Sequence, residues 1–140
     1  MIKPKSVKYR KLHRGHLIGN ASCRTIIVFG RYRILLIQSV WITSQQIESG
    51  RRILIRYIRR TGKLWIRIFP NKSITIRSVE TRIGSSKGIY VYWVVVACSG
   101  IIIFEFIKIT KRIVIQATKI INSKFSTNIY LIIKKLNFYD

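Results

Sequence analysis

Apolar and polar positions alternate with a period of two along most of this chain, and in two places the period becomes that of a helix. Leu64 to Phe69 is the clearest alternation: Leu64, Ile66 and Ile68 fall on one side, and Trp65, Arg67 and Phe69 on the other. The same reading predicts strands over Thr25 to Phe29 and Arg33 to Ile37, divided by Gly30, then over Ser73 to Ser78 and Asn128 to Ile133. The apolar run Ile89 to Phe104 is broken by Ser99-Gly100 and reads as a hairpin extending to Ile107.

The first helical stretch opens at Thr43, with Gln46 three residues on completing a capping box, and Gly62 supplies the stop. Ile47, Leu54 and Ile58 share one face, with Ile55 beside them, so that face is expected to pack inward. A second helix is expected from Thr110 to about Lys124. Its residues are largely β-branched, but Ile113, Ala117 and Ile120 or Ile121 recur at helical spacing. The order β-β-α-β-β-β-β-α-β describes an α+β domain with a mainly antiparallel sheet and two helices.

Length and punctuation divide the chain into a basic N-terminal arm (residues 1–24), one α+β domain (25–133) and a short basic tail (134–140). A chain of 140 residues accommodates one core. The start, Met1 to Lys5, has no apolar segment of a secretory signal. The run Ile89 to Phe104 falls short of the roughly 18 residues a membrane span requires.

Charge then narrows the function. Lys and Arg total 27 against four acids, Glu48, Glu80, Glu105 and Asp140, for a net charge of +23. Such an excess repels itself unless a polyanion neutralises it, which points first to nucleic acid and second to an anionic membrane surface. Half the residues are hydrophobic and mean hydropathy is +0.21, so this is not a disordered basic tail. Isoleucine takes 29 positions while alanine takes three and proline two, the signature of an A+T-rich genome such as that of a reduced organelle. Cys23 and Cys98 have no cysteine neighbour at ligand spacing and are expected as reduced core residues; a metal site is not expected.

The candidate chemistry is binding rather than catalysis. Arg52, Arg56, Arg59 and Arg60 project from one helix face, where guanidinium groups at fixed spacing suit a structured phosphate backbone. Trp65 and Arg67 extend that surface onto the next strand, where an exposed aromatic stacks on unpaired bases. The arm, with Lys5, Lys8, Arg10, Lys11, His13 and Arg14, has no apolar period and suits threading into RNA grooves. Arg82, Gly84, Ser85, Lys87 and Gly88 lie on a glycine-flexed loop that lacks the Gly-Lys-Ser/Thr order of a nucleotide hydrolase. The acids are too scattered for paired-carboxylate catalysis, so no enzyme and no cofactor are expected.

These residues resemble the large-ribosomal-subunit protein L-sixteen family in its bacterial and plastid form. The likeness is carried by Pro4-Lys5, Tyr9-Arg10-Lys11, His13-Arg14-Gly15, almost all of Thr43 to Thr75, Glu80-Thr81-Arg82-Ile83-Gly84, Lys87-Gly88, Tyr92-Trp93-Val94 and Glu105. The resemblance implies an α/β-hammerhead type fold that binds large-subunit rRNA near the central protuberance and helps to position tRNA at the A site, with the P site as a second position. Residue by residue, it implies rRNA contacts for Lys5, Arg10, Lys11, His13 and Arg14 and for Arg51, Arg52, Arg59 and Lys63. The loop bearing Arg82 and Lys87 would approach tRNA, and other large-subunit proteins would be partners.

The wording is closer to plastid members, and likeness from the first residues implies synthesis inside a reduced plastid such as an apicoplast, ahead of a mitochondrion. Departures from the family are Ser73 for a usual proline, Lys108 for a glycine, Ser86 for a loop glycine, and Ser126-Thr127-Asn128 for a proline-containing segment. The competing readings are a cationic membrane-surface protein and an RNA chaperone outside the ribosome.

Overall fold

A computed structural model describes residues 2–59, 62–80 and 87–134. Its elements in chain order are β1 (Tyr32–Leu36), β2 (Val40–Thr43), α1 (Ser44–Ile58), β3 (Lys63–Ile66), β4 (Lys72–Ile76), β5 (Ile89–Ala97), β6 (Ile102–Ile107), α2 (Lys111–Asn122) and β7 (Ile129–Ile133). The strands form a four-stranded sheet, β3-β6-β1-β7, and a three-stranded sheet, β2-β5-β4. All ladders between these strands are antiparallel.

The order of helices and strands matches expectation, and the expected Arg33 to Ile37 strand is β1 displaced by one residue, but the strand expected ahead of it does not form. Thr25 to Phe29 is no strand. The backbone N–H groups of Val28, Phe29 and Gly30 turn to the Glu105 carboxylate instead of a ladder partner, at distances down to 2.7 Å for Phe29. The missing strand is β2, four residues long and so too short to show alternation.

Nor is Ile89 to Ile107 a hairpin. β5 pairs with β2 and β4, whereas β6 pairs with β1 and β3. The chain changes sheet at Ser99-Gly100, where Gly100 takes a left-handed φ of 86°. Local sequence reports the turn; the hydrogen-bond partners of each strand lie far away in the chain.

β6 runs through the centre, and Ile102 to Phe106 are all buried. Phe104 meets Phe125 edge-on at 6.5 Å, and Phe106 stacks on Tyr32 at 5.6 Å. α1 presses Ile47, Gly50, Leu54 and Ile58 into this core, and α2 contributes Val114, Ala117 and Ile121. Ile55 faces solvent at 44% exposure and so falls off the inward face of α1; of the two alternatives in α2, Ile121 is the buried one and Ile120 is exposed. Cys98 is half-buried, but Cys23 is exposed rather than a core residue; both thiols are free.

Half of Tyr90 to Ala97 is buried inside the fold, at Trp93, Val94, Val95 and Ala97. Among the described residues no helix is long and apolar enough to cross a membrane.

Candidate nucleic-acid interface

The arginine band is held by a well-capped helix. Thr43 Oγ1 accepts from the Gln46 N–H at 3.2 Å, and Gln46 Oε1 accepts from the Thr43 N–H at 2.9 Å, as the spacing predicts. The other end departs from expectation. α1 stops at Ile58, and Arg59 takes a left-handed φ of 53° while its N–H donates to Ile55 O at 2.8 Å. The stop therefore falls on an arginine before Gly62 is reached.

Arg52, Arg56 and Arg59 are exposed. Glu48 neutralises only the first turn of the band: its carboxylate accepts two bonds from Arg51, at 2.6 and 2.8 Å, and one from Arg52 at 3.1 Å. The bond from Arg51 holds the Glu48 carboxyl at about 2, well below its ordinary 4.5, and raises the Arg51 guanidinium in turn. Among the described residues no acid pairs with Arg56 or Arg59, so the positive field concentrates at the C-terminal end of the helix. Lys63 stands exposed where β3 begins, and continues it. Arg60 lies outside the described residues.

Trp65 and Arg67 are used differently from expectation. Trp65 stacks on Phe29 at 5.7 Å, and the Arg67 guanidinium lies over the same Phe29 ring at 5.1 Å. Arg67 also donates to the buried Glu105 at 2.8 Å. Both side chains thus pack under the 25–30 strap, and Arg67 spends its charge inside the protein. Sequence reasoning missed the strap because its partner is 75 or more residues away. The available signal was Glu105 itself, the lone acid within the apolar stretch Ile89 to Ile107.

The arm lies across one face of the three-stranded sheet. Pairing of Trp41 with Val96, Lys72 with Val94 and Ile74 with Tyr92 puts these side chains on a common face, opposite the Val95 and Ala97 face that packs on the core. Lys72 Nζ donates to Arg14 O on this face and Lys11 Nζ to Lys87 O at 3.2 Å, while Ser73, which alternates to the other side of the edge strand β4, holds the arm through Oγ donating to Arg10 O. Arg14 and Lys72 both sit over the Trp41 ring, at 5.5 and 5.0 Å. Lys5, Lys8, Arg10, Lys11, His13 and Arg14 all remain exposed.

Lys87 and Gly88 therefore adjoin the arm, and two segments that sequence kept apart form one basic surface. Arg82, Gly84 and Ser85 lie outside the described residues. Trp41 and Lys72 were not among the expected site residues; Lys72 was detectable only as a cation opening a short edge strand. Among the described residues no group of acids, histidines and cysteines is placed to hold a metal ion.

A rigid basic helix face, a second basic surface and a near-absence of acid suit a folded polyanion. A family model described as "Ribosomal protein L16p/L10e" matches residues 4–132. The chain belongs to this L-sixteen family. L-sixteen relatives with the name "Large ribosomal subunit protein uL16c" resemble it over most of their length. The protein of Tetradesmus obliquus is 52% identical over 85% of this chain and 86% of its own. That of Staurastrum punctulatum is 50% identical over 89% and 88%, and that of Euglena gracilis 44% identical over 96% and 99%. As an L-sixteen protein the chain is a structural component of the large ribosomal subunit and not an enzyme, and the two-helix, antiparallel α+β architecture agrees with that family.

Proposed function

We propose that this chain binds large-subunit rRNA near the base of the central protuberance of a plastid ribosome and helps to position A-site tRNA. The plastid location rests on the chloroplast ribosomal relatives, and an A+T-biased composition favours a reduced plastid. The observation that carries the reading is the outer face of α1. Arg52 and Arg56 project from a capped helix whose other side is locked into the core, Arg59 follows at its C-cap, and Glu48 offsets only the Arg51–Arg52 end of the band. A phosphate backbone of fixed shape gains most from cations whose spacing is already set, because little entropy is lost on binding.

Lys63 extends this anchor, and Arg51 supports it through Glu48. The arm, with Lys5, Lys8, Arg10, Lys11, His13 and Arg14, and the adjoining Lys87 and Gly88 form the second surface, which extends toward the tRNA side. Neighbouring large-subunit proteins complete the environment.

Binding of the purified chain to a large-subunit rRNA fragment, followed across salt concentration, tests the reading. Affinity should fall steeply with salt as counterions are released. Arg56→Ala and Arg59→Ala should each reduce the salt slope by about 1 and weaken binding across sequences. Lys134→Ala, beyond β7, should do less. A salt slope near zero would overturn the proposal.

A further inference from the structure

Between the arm and the three-stranded sheet lies a groove of about 730 Å³ lined by His13, Arg14, Trp41, Arg77, Lys87 and Tyr92, among others. The volume falls within the roughly 300–1,000 Å³ of small-molecule pockets. Its chemistry is two-sided. Trp41 and Tyr92 bring aromatic surface from the sheet, with Tyr92 38% exposed, while Arg14, Arg77 and Lys87 bring positive charge. Among its described lining residues there is no acid. A lipid tail would meet Arg14, Arg77 and Lys87, and a basic peptide would be repelled by them.

We propose that this groove receives one unpaired RNA nucleotide, with its base against Tyr92 and the Trp41 edge and its flanking phosphates at Arg14 and Lys87. A base paired in a duplex offers no free face for such stacking, so the groove selects single-stranded or bulged RNA. The sheet supplies the fixed wall, since Tyr92 and Trp41 share one face by strand register. The arm supplies the other wall, held by Lys72, Ser73 and Lys11. This inference rests on the rRNA reading above and adds a nucleotide-binding site apart from the α1 anchor.

The test compares the full chain on a short oligoadenylate and on a blunt RNA duplex with the same number of phosphates. Tyr92→Ala should weaken oligoadenylate binding roughly 5- to 150-fold, the range for loss of one base–aromatic stack, and leave duplex binding and both salt slopes unchanged. Tyr92→Phe should retain affinity. Arg14→Gln should lower the salt slope on the oligonucleotide by about 1. Ultraviolet cross-linking of the wild-type chain to the same oligonucleotide should yield adducts on the peptides containing Trp41 or Tyr92. Unchanged oligoadenylate affinity in Tyr92→Ala, or adducts confined to other peptides, would overturn the groove while leaving steep salt-dependent rRNA binding intact. Loss of that salt dependence in the wild type would instead remove the underlying rRNA reading, and the groove with it.

Discussion

Arg67 Nη1 donates to Glu105 Oε1 at 2.8 Å, and the carboxylate at the other end of that bond is completely buried. Glu105 also accepts from the backbone N–H groups of Val28, Phe29 and Gly30, so one side chain joins β6, the segment after β3, and the strap that precedes β1. Four donors around one carboxylate satisfy a charge that burial alone would make costly.

Removing Glu105 strands the half-buried Arg67 and three backbone donors together. Glu105→Ala should lower stability by about 3–5 kcal/mol, the range for breaking a buried pair from one side. Arg67→Ala should cost less, because Glu105 keeps its backbone N–H donors and Arg67 can be replaced partly by water at its 15% exposed surface. Urea denaturation of the three proteins checks the order. Arg67→Ala as costly as Glu105→Ala would show that the backbone bonds contribute little.

Gly30 is where the strap turns into β1. A Cβ there would lie 2.8 Å from both N and O of Phe106, backbone atoms of the central strand. Neither atom can rotate away, so the strap or β6 has to shift, and Gly30→Ala should destabilise by about 1–3 kcal/mol. Gly50→Ala is the control. Its Cβ would meet ring atoms of Phe104 and Phe125 at 3.1 to 3.3 Å, which can yield by tilting, and alanine gains roughly 1 kcal/mol of helix propensity. Thermal midpoints should therefore drop more for Gly30→Ala.

Glu48 gives the acid side of the stability profile a defined contribution. Its folded value of about 2 lies below the ordinary 4.5, so the folded state favours the ionised form. That stabilisation is complete above about 4.5 and is lost as pH falls from there toward about 2. Urea midpoints should decline through this window in the wild type and decline less in Glu48→Gln. Parallel curves for the two proteins would show that the Arg51 bond does not persist in solution.

Lys108 occupies the left-handed region, with φ of 61°, between β6 and α2. A side chain in that region costs about 1–2 kcal/mol, which glycine avoids. The family resemblance has glycine here. Lys108→Gly should thus raise stability, by about 1 kcal/mol after the greater chain entropy of glycine is subtracted, as a higher urea midpoint would register. A lower midpoint would mean that the lysine side chain makes a compensating contact.

Ser73 shows a second departure with a visible use. Its hydroxyl donates to Arg10 O and helps hold the arm on the sheet, a bond the proline usual in the family has no donor to make. β4 lies at the edge of its sheet, where either residue is tolerated.

What the sequence determined by itself was local. The Thr43–Gln46 cap, the order of helices and strands, and the exposed cations of α1 all depend on residues within one or two turns of each other. Charge determined the class of partner in the same way, because net charge needs no fold. Tertiary structure decided how those elements meet. It set β5 and β6 in different sheets, turned Thr25 to Phe29 from strand to strap, withdrew Arg67 to Glu105, and laid the arm beside Lys87. Each of these depends on a hydrogen bond, ion pair or close packing between residues far apart in the chain. A backbone N–H donates to a ladder carbonyl or to a distant carboxylate with equal local ease, so only the assembled fold selects between them.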